Sequence, residues 1–216
     1  IIDKEKAAKI SGARFAYIKN ELALLEFALV QFTFSILTDE KKLKKVFKDA
    51  GLNISNKAFI PVIPPVFVRT DIFTAMGRLE PREDKYELPE DDQFLVGSAE
   101  HTLGPIHMGE TIPESELPIR YVGFSTCFRR EAGTYGKDMK GIIRMHQFDK
   151  IEMESFTTSE CGLDEQKALV AIQENLVFEL GLPYQVVSIC TGDMGKPDAK
   201  QIDIETWMPG QNKYVE

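Results

Sequence analysis

Metal-binding and disulfide patterns are scarce in this sequence. The 216 residues contain three cysteines, Cys127, Cys161 and Cys190, odd in number, far apart and never in a CxxC pair. That argues against a disulfide framework or a cysteine zinc cage and leaves them as small buried hydrophobes. The three histidines, His101, His107 and His146, lack metal-ligand spacing as well. No zinc is expected, and structural or hydrogen-bonding roles are expected for all three. Long apolar runs are also missing. Ala23 to Val30 is interrupted by Glu26, and Phe59 to Val68 by Pro61, Pro64 and Pro65. Both fall short of the ~20 residues of a membrane span, so no membrane partner is expected. The opening IIDKEKAAKI has no apolar core followed by a small-residue cleavage site, which makes a cytoplasmic location the expectation.

What the chain has is enough apolar content, 43%, to build one sizeable α+β core. Its net charge is −8, from 26 basic and 34 acidic residues, so the surface as a whole repels nucleic acid. Residues 120 to 150 run the other way, with seven basic against three acidic side chains and a local balance of +4. Any polyanion is expected to be met there.

Periodicity predicts a strand over Arg14 to Tyr17 and a long amphipathic helix over Glu21 to Leu37, where Leu22, Leu25, Leu29, Phe32 and Ile36 recur at helical spacing. KKLKKVFKDAG predicts a short helix closed by Gly51. AFIPVIPPVFV is β-prone, but its prolines remove backbone donors, so it fits an edge or interface strand. Further expectations are a strand at Phe94 to Val96, a short helix over Thr102 to Met108, and paired strands over Ile119 to Arg129 and Arg144 to Phe156. A helix over Glu160 to Leu180 follows, then strands near Gln185 to Cys190, Gln201 to Met208 and Lys213 to Glu216. This order implies a mostly antiparallel sheet flanked by helices, with no linker dividing the chain.

The chemistry concentrates in FRREAGTYGKDMKGIIRMHQFDKIEME, residues 128 to 154. On a strand, Arg129 and Glu131 leave the same face, and so do Arg144, His146, Phe148, Lys150 and Glu152 on the returning strand. A solvent-facing hairpin with cross-strand ion pairs is the plain alternative. It accounts poorly for one phenylalanine among arginines, a lysine and glutamates. A nucleotide suits them better: Phe148 as a purine platform, arginines as bidentate phosphate clamps, glutamates as acceptors or Mg²⁺ ligands.

This segment closely resembles motif 2 of class II aminoacyl-tRNA synthetases in the version of the seryl-tRNA synthetases, with an FR-x-EAG opening and an R-x-HQF-x-K-x-E closing. Upstream, LVGSAEHTLGPIHMGETI is similar to that family's TAE serine loop with Ser98 in place of threonine, and IPVIPPVFV resembles its motif 1 strand at the dimer interface. Downstream, VVSICTGDMGKPDAKQIDIETWMPGQNKYVE is similar to the stretch leading to its ATP-binding glutamate, matched by Glu216.

The resemblance implies a class II synthetase-like antiparallel sheet and the site roles that go with it. Arg129 and Glu131 would be catalytic, Arg129 on the α-phosphate and serine carboxylate and Glu131 at the adenine edge. Phe148 would stack on the ring, with Arg144 toward the terminal phosphates and Arg130 also binding ATP. Ser98, Ala99, Glu100 and Glu152 would line the serine pocket, where hydrogen bonds to a hydroxyl reject alanine. Lys137 and Lys140 would meet the acceptor end of tRNA(Ser), and Glu216 would hold Mg²⁺ with the phosphates. The implied reaction joins L-serine to ATP as seryl-adenylate and then transfers the seryl group to tRNA, in a homodimer formed through the motif 1 strand. Measured against the family, residues 1 to 216 are expected to be an incomplete catalytic core, without the N-terminal tRNA-binding arm or motif 3. A truncated module that is inactive, or that hands an amino acid to an acceptor other than tRNA, is the alternative.

Overall fold

The structure is a computed structural model, and it describes residues 1–132 and 142–216. In chain order the elements are β1 (Ile2–Asp3), α1 (Lys4–Ser11), β2 (Tyr17–Ile18), α2 (Glu21–Leu37), α3 (Glu40–Asp49), β3 (Ile60–Val62), β4 (Phe67–Arg69), α4 (Thr70–Ala75), β5 (Glu87–Leu88) and β6 (Gln93–Leu95). They continue with α5 (Glu100–Leu103), β7 (Ile119–Phe128), β8 (Gln147–Phe156), α6 (Gly162–Glu179), β9 (Tyr184–Ser188), β10 (Ile202–Met208) and β11 (Lys213–Val215). The α+β expectation holds. No single helix among the described residues is long and apolar enough to cross a membrane.

Local signals explain several boundaries. Asp39 caps α3 by accepting the Lys41 and Lys42 amides at 2.8 and 3.2 Å, and the helix gives way to Gly51 in the left-handed region at φ 71°. Its Leu43, Val46 and Phe47 are buried, at helical spacing between exposed lysines. The proline-rich stretch splits at Pro64 and Pro65 into β3 and β4, which join different sheets. β3 sits at the edge of the sheet ordered β3-β7-β8, where the missing donor of Pro61 is tolerated. β3 runs parallel to β7, which the long connection between them permits, whereas the β1-β2, β4-β6, β5-β6, β9-β10 and β10-β11 pairings are antiparallel, as expected. Among the described residues the strands form four small sheets rather than one. The helix expected over Thr102 to Met108 is instead α5 followed by turns, because Pro105 has no backbone N–H to continue it.

By their contacts the residues form two compact units, Ile1–Ser35 with Ile60–Thr111 and Tyr121–Glu154, and Ile36–Phe59 with Ile112–Arg120 and Ser155–Glu216. The first unit contains an antiparallel β4-β6-β5 sheet around a core of Val68, Phe73, Phe94 and Val96. At Gly123 the backbone passes so close to α5 that a Cβ would lie 2.6 Å from Leu103 Cδ1, so only glycine fits without displacement.

The second unit packs α3 against α6 and carries the antiparallel β9-β10-β11 sheet. Its centre is ionic. Arg120, 1% exposed, makes a two-pronged pair with Glu165 at 2.9 and 2.6 Å, and its Nη1 donates to the Ser55 and Lys57 carbonyls at 2.9 Å each. Ser155 donates to the same carboxylate, and the guanidinium lies over the rings of Phe47 and Phe59. Arg120 opens the basic segment read from the sequence, but burial takes it out of reach of any polyanion.

Candidate active site

The residues expected to bind serine and nucleotide gather, with the exceptions named below, in the first unit, around a cleft of about 450 Å³. That lies within the ~300–1,000 Å³ of small-molecule sites. Its lining includes five basic side chains, Arg78, Lys85, Arg129, Arg144 and Lys150, interspersed with Glu80, Asp84, Glu100 and Glu131.

One wall is the loop that leaves β6. The Val96 amide donates to Val66, and the Val96 carbonyl accepts the Phe128 amide at 2.8 Å, which fixes the loop against the end of β7. Gly97, Ser98 and Ala99 then turn into α5. Ser98 Oγ accepts the Glu100 amide at 3.2 Å, and its hydroxyl donates to the Glu152 carboxylate in a short contact. Lys150 Nζ donates to Ser98 Oγ at 3.2 Å and pairs with Glu152 at 2.5 Å. Hydroxyl, ammonium and carboxylate therefore meet in one place. Glu100 pairs with Arg78 at 2.7 Å, and Ala99 is fully buried behind the loop, outside the cleft lining.

The opposite wall departs from the strand reading. β7 ends at Phe128 and β8 begins at Gln147, so Arg129, Glu131, Arg144 and His146 lie beyond the strands. Glu131 adopts φ 55°, in the left-handed region, so alternation cannot place it beside Arg129. Asp84 holds this turn: its carbonyl accepts the Arg130 amide at 2.8 Å and its carboxylate the Ala132 amide at 2.7 Å. Arg129 Nε donates to the Gly97 carbonyl at 3.2 Å. Arg144 Nη1 pairs with Glu131 at 2.5 Å, and Arg144 Nε is buried with no hydrogen-bond partner among the described residues.

On β8 the alternation does hold, and Phe148, Lys150, Glu152 and Glu154 share a face. The Arg129 guanidinium covers one side of the Phe148 ring at 5.1 Å, and the ring borders a neighbouring cavity of about 370 Å³ with Phe15 and Met145. A purine stacking on the covered side requires Arg129 to move. Arg130 points away from the cleft and lies over Tyr86 at 5.3 Å. Glu216 follows β11 in the second unit and is exposed. Lys137 and Lys140 lie outside the described residues.

Electrostatics separates the titratable groups of this unit. Burial, then the carboxylates of Glu100 and Glu152, pushes Glu154 up from 4.5 to about 8, against the pull of Lys150 and Arg78. Burial, then the cations Arg78, Lys85, Arg129 and Lys150, holds His101 down from 6.5 to about 3. Burial also lowers Lys85. Sequence reasoning missed Arg78, Asp84, Lys85 and His101 as site residues because they follow no strand or helix period through the cleft. Glu154 was legible as the next step of the 148, 150, 152 alternation.

A family model for the tRNA synthetase class II core domain (G, H, P, S and T) matches residues 85–216, which include both cleft walls from Lys85 onward. The chain belongs to the class II tRNA synthetases. Among its synthetase relatives, a serine-tRNA ligase of Acidothermus cellulolyticus is 44% identical over 216 residues, covering 100% of this chain and 47% of that protein. The crystal structure of seryl-tRNA synthetase from Pyrococcus horikoshii complexed with ATP has a TM-score of 0.84 at 41% identity, over 99% of this chain and 44% of that one. A cytoplasmic serine-tRNA ligase from Naegleria fowleri in complex with AMP gives 0.83 at 28% identity, covering 99% and 47%. The synthetase chain thus spans under half the length of the curated relatives it matches.

Proposed function

We propose that this chain supplies the serine-activating core of a seryl-tRNA synthetase, which joins L-serine to ATP as seryl-adenylate and passes the seryl group to tRNA(Ser). The observation that carries the reading is the bonding of Ser98 and Lys150, which line the cleft together with Arg129, to the Glu152 carboxylate just behind its lining. A carboxylate and a hydroxyl at hydrogen-bonding distance suit the two donors of serine, its ammonium group and its side-chain hydroxyl. Alanine would leave a buried acceptor without its donor. Arg129 is the cation for the charge that develops as the serine carboxylate attacks the α-phosphorus, and alignment supplies much of the acceleration. Phe148 serves the adenine and Arg144 the outer phosphates, Arg144 exchanging its contact with Glu131 for phosphate.

Magnesium enters the proposal with the nucleotide. Among the described residues no group of three or more His, Cys, Asp or Glu is placed to hold a metal ion. An ion carried chiefly by phosphates and water needs no such group. When bound it neutralises phosphate charge. Exposed Ile60, Ile63 and Phe67 along the proline-rich stretch support pairing of two copies there.

Calorimetric titration of the full chain with a seryl-sulfamoyl-adenosine mimic tests the reading. Binding, a loss of roughly 100-fold or more in Arg129→Ala, and at least as large a preference over the alanyl analogue are expected. Absence of binding, or equal affinity for the alanyl analogue, overturns it.

A further inference from the structure

We infer that His101 is a positioning residue for Arg129, acting through the peptide units on either side of Gly97. The inference rests on the proposed role of Arg129 as the adenylate clamp. Three observations meet at Gly97. Its amide donates to His101 Nδ1 at 3.1 Å, and its carbonyl accepts Arg129 Nε at 3.2 Å. Its α-carbon has both side chains as neighbours: a Cβ there would lie at ordinary contact distance, 3.5 Å from His101 Cε1, 3.5 Å from the Phe128 carbonyl and 3.6 Å from Arg129 Cγ. One residue with no side chain of its own therefore transmits the orientation of a ring to the orientation of a guanidinium.

The ring has little freedom to pass on. His101 is 9% exposed and packs on Phe73 with centroids 4.5 Å apart. Because Nδ1 accepts a hydrogen bond, the neutral ring carries its proton on Nε2. Protonation would destroy the acceptor, and the surroundings oppose it: burial disfavours the charged ring first, and the positive charges of Arg78, Lys85, Arg129 and Lys150 add to that. The ring therefore stays an acceptor across the neutral range. The anchor acts on a guanidinium that also lies over one side of the Phe148 ring. Held at Nε by the Gly97 carbonyl, it keeps both Nη groups for phosphate and carboxylate.

Two substitutions separate positioning from packing. In His101→Asn the Oδ1 atom stands where Nδ1 stood and keeps the acceptor, but the contact with Phe73 is lost. In His101→Leu the apolar contact stays and the acceptor goes. The Leu variant is expected to keep more stability in urea yet bind the seryl-sulfamoyl-adenosine mimic about fivefold to tenfold more weakly than the Asn variant. If affinity follows stability across the two variants, His101 only packs and the inference is wrong. A ligand-free readout covers the case in which even the unsubstituted chain fails to bind the mimic, which would refute the proposed function instead. ¹⁵N spectra of the histidine rings should show His101 as the neutral Nε2–H tautomer from pH 5 to 8, and the Arg129 Nε resonance should shift in the Leu variant but not in the Asn variant. A ring titrating near its ordinary 6.5, or an Arg129 signal indifferent to both variants, overturns the inference.

Discussion

Replacing Glu154 by glutamine should remove a pH dependence that the wild-type protein carries between pH 4.5 and about 8. Burial raises Glu154 first, and the like charges of Glu100 and of Glu152 on the same β8 face add to it, while Lys150 and Arg78 offset only part of the effect. In the folded chain it holds its proton up to about 8, whereas the unfolded chain releases it near 4.5. Between those values the folded state binds the extra proton, so stability falls as pH rises through the window and is fully present only below it. Each pH unit inside the window is worth up to ~1.4 kcal/mol, and screening of a half-buried group brings the total to on the order of 2 kcal/mol. His101 acts in the opposite sense: its folded value near 3 means that stability is lost as pH falls from 6.5. The wild-type curve alone therefore mixes the two. Urea unfolding of wild type and Glu154→Gln at pH 5, 6.5 and 8 isolates the carboxyl, and the variant should gain on the wild type at each step upward. A difference that stays flat, or that shrinks toward pH 8, would refute the burial of Glu154 beside like charges.

Other perturbations test the frame around the site. Arg120→Met leaves Glu165 buried without its cation and should cost about 3–5 kcal/mol, read as a fall in Tm of about 10 °C, whereas replacing both partners by apolar residues should recover much of it. Arg120→Lys should not rescue, since an ammonium cannot reach Glu165 and the Ser55 and Lys57 carbonyls together. Gly123→Ala drives a methyl group into buried Leu103 and should cost about 1–3 kcal/mol; unchanged stability would contradict the close passage of α5 over β7.

Much of the architecture could be read from residue order, and the reasons for the misses are physical. The Glu21 to Leu37 helix was legible because five apolar residues recur at one period, although Leu25 and Leu29 of that stripe are exposed, and the α3 helix because Gly51 marks its end. The break between β3 and β4 was half visible: the prolines pointed to an edge, but the assignment of the two halves to different sheets depends on distant partners. The strand face from Arg129 to Glu131 failed because one left-handed residue cancels a period of two, and nothing local marks Glu131 for φ 55°. Arg120 was misread as part of a basic surface because its counter-charge, Glu165, lies 45 residues away. The serine-loop contacts of Ser98 and Glu152 followed the resemblance, whereas His101 came to light only through its bond to Gly97.

The most direct measurement is a crystal structure of the chain grown with the seryl-sulfamoyl-adenosine mimic. The account predicts the sulfamoyl group against Arg129, the seryl hydroxyl or ammonium within hydrogen-bonding distance of Glu152, and the adenine on Phe148. A mimic seated outside this cleft, or seated in it with Glu152 and Phe148 making no contact, would contradict the account.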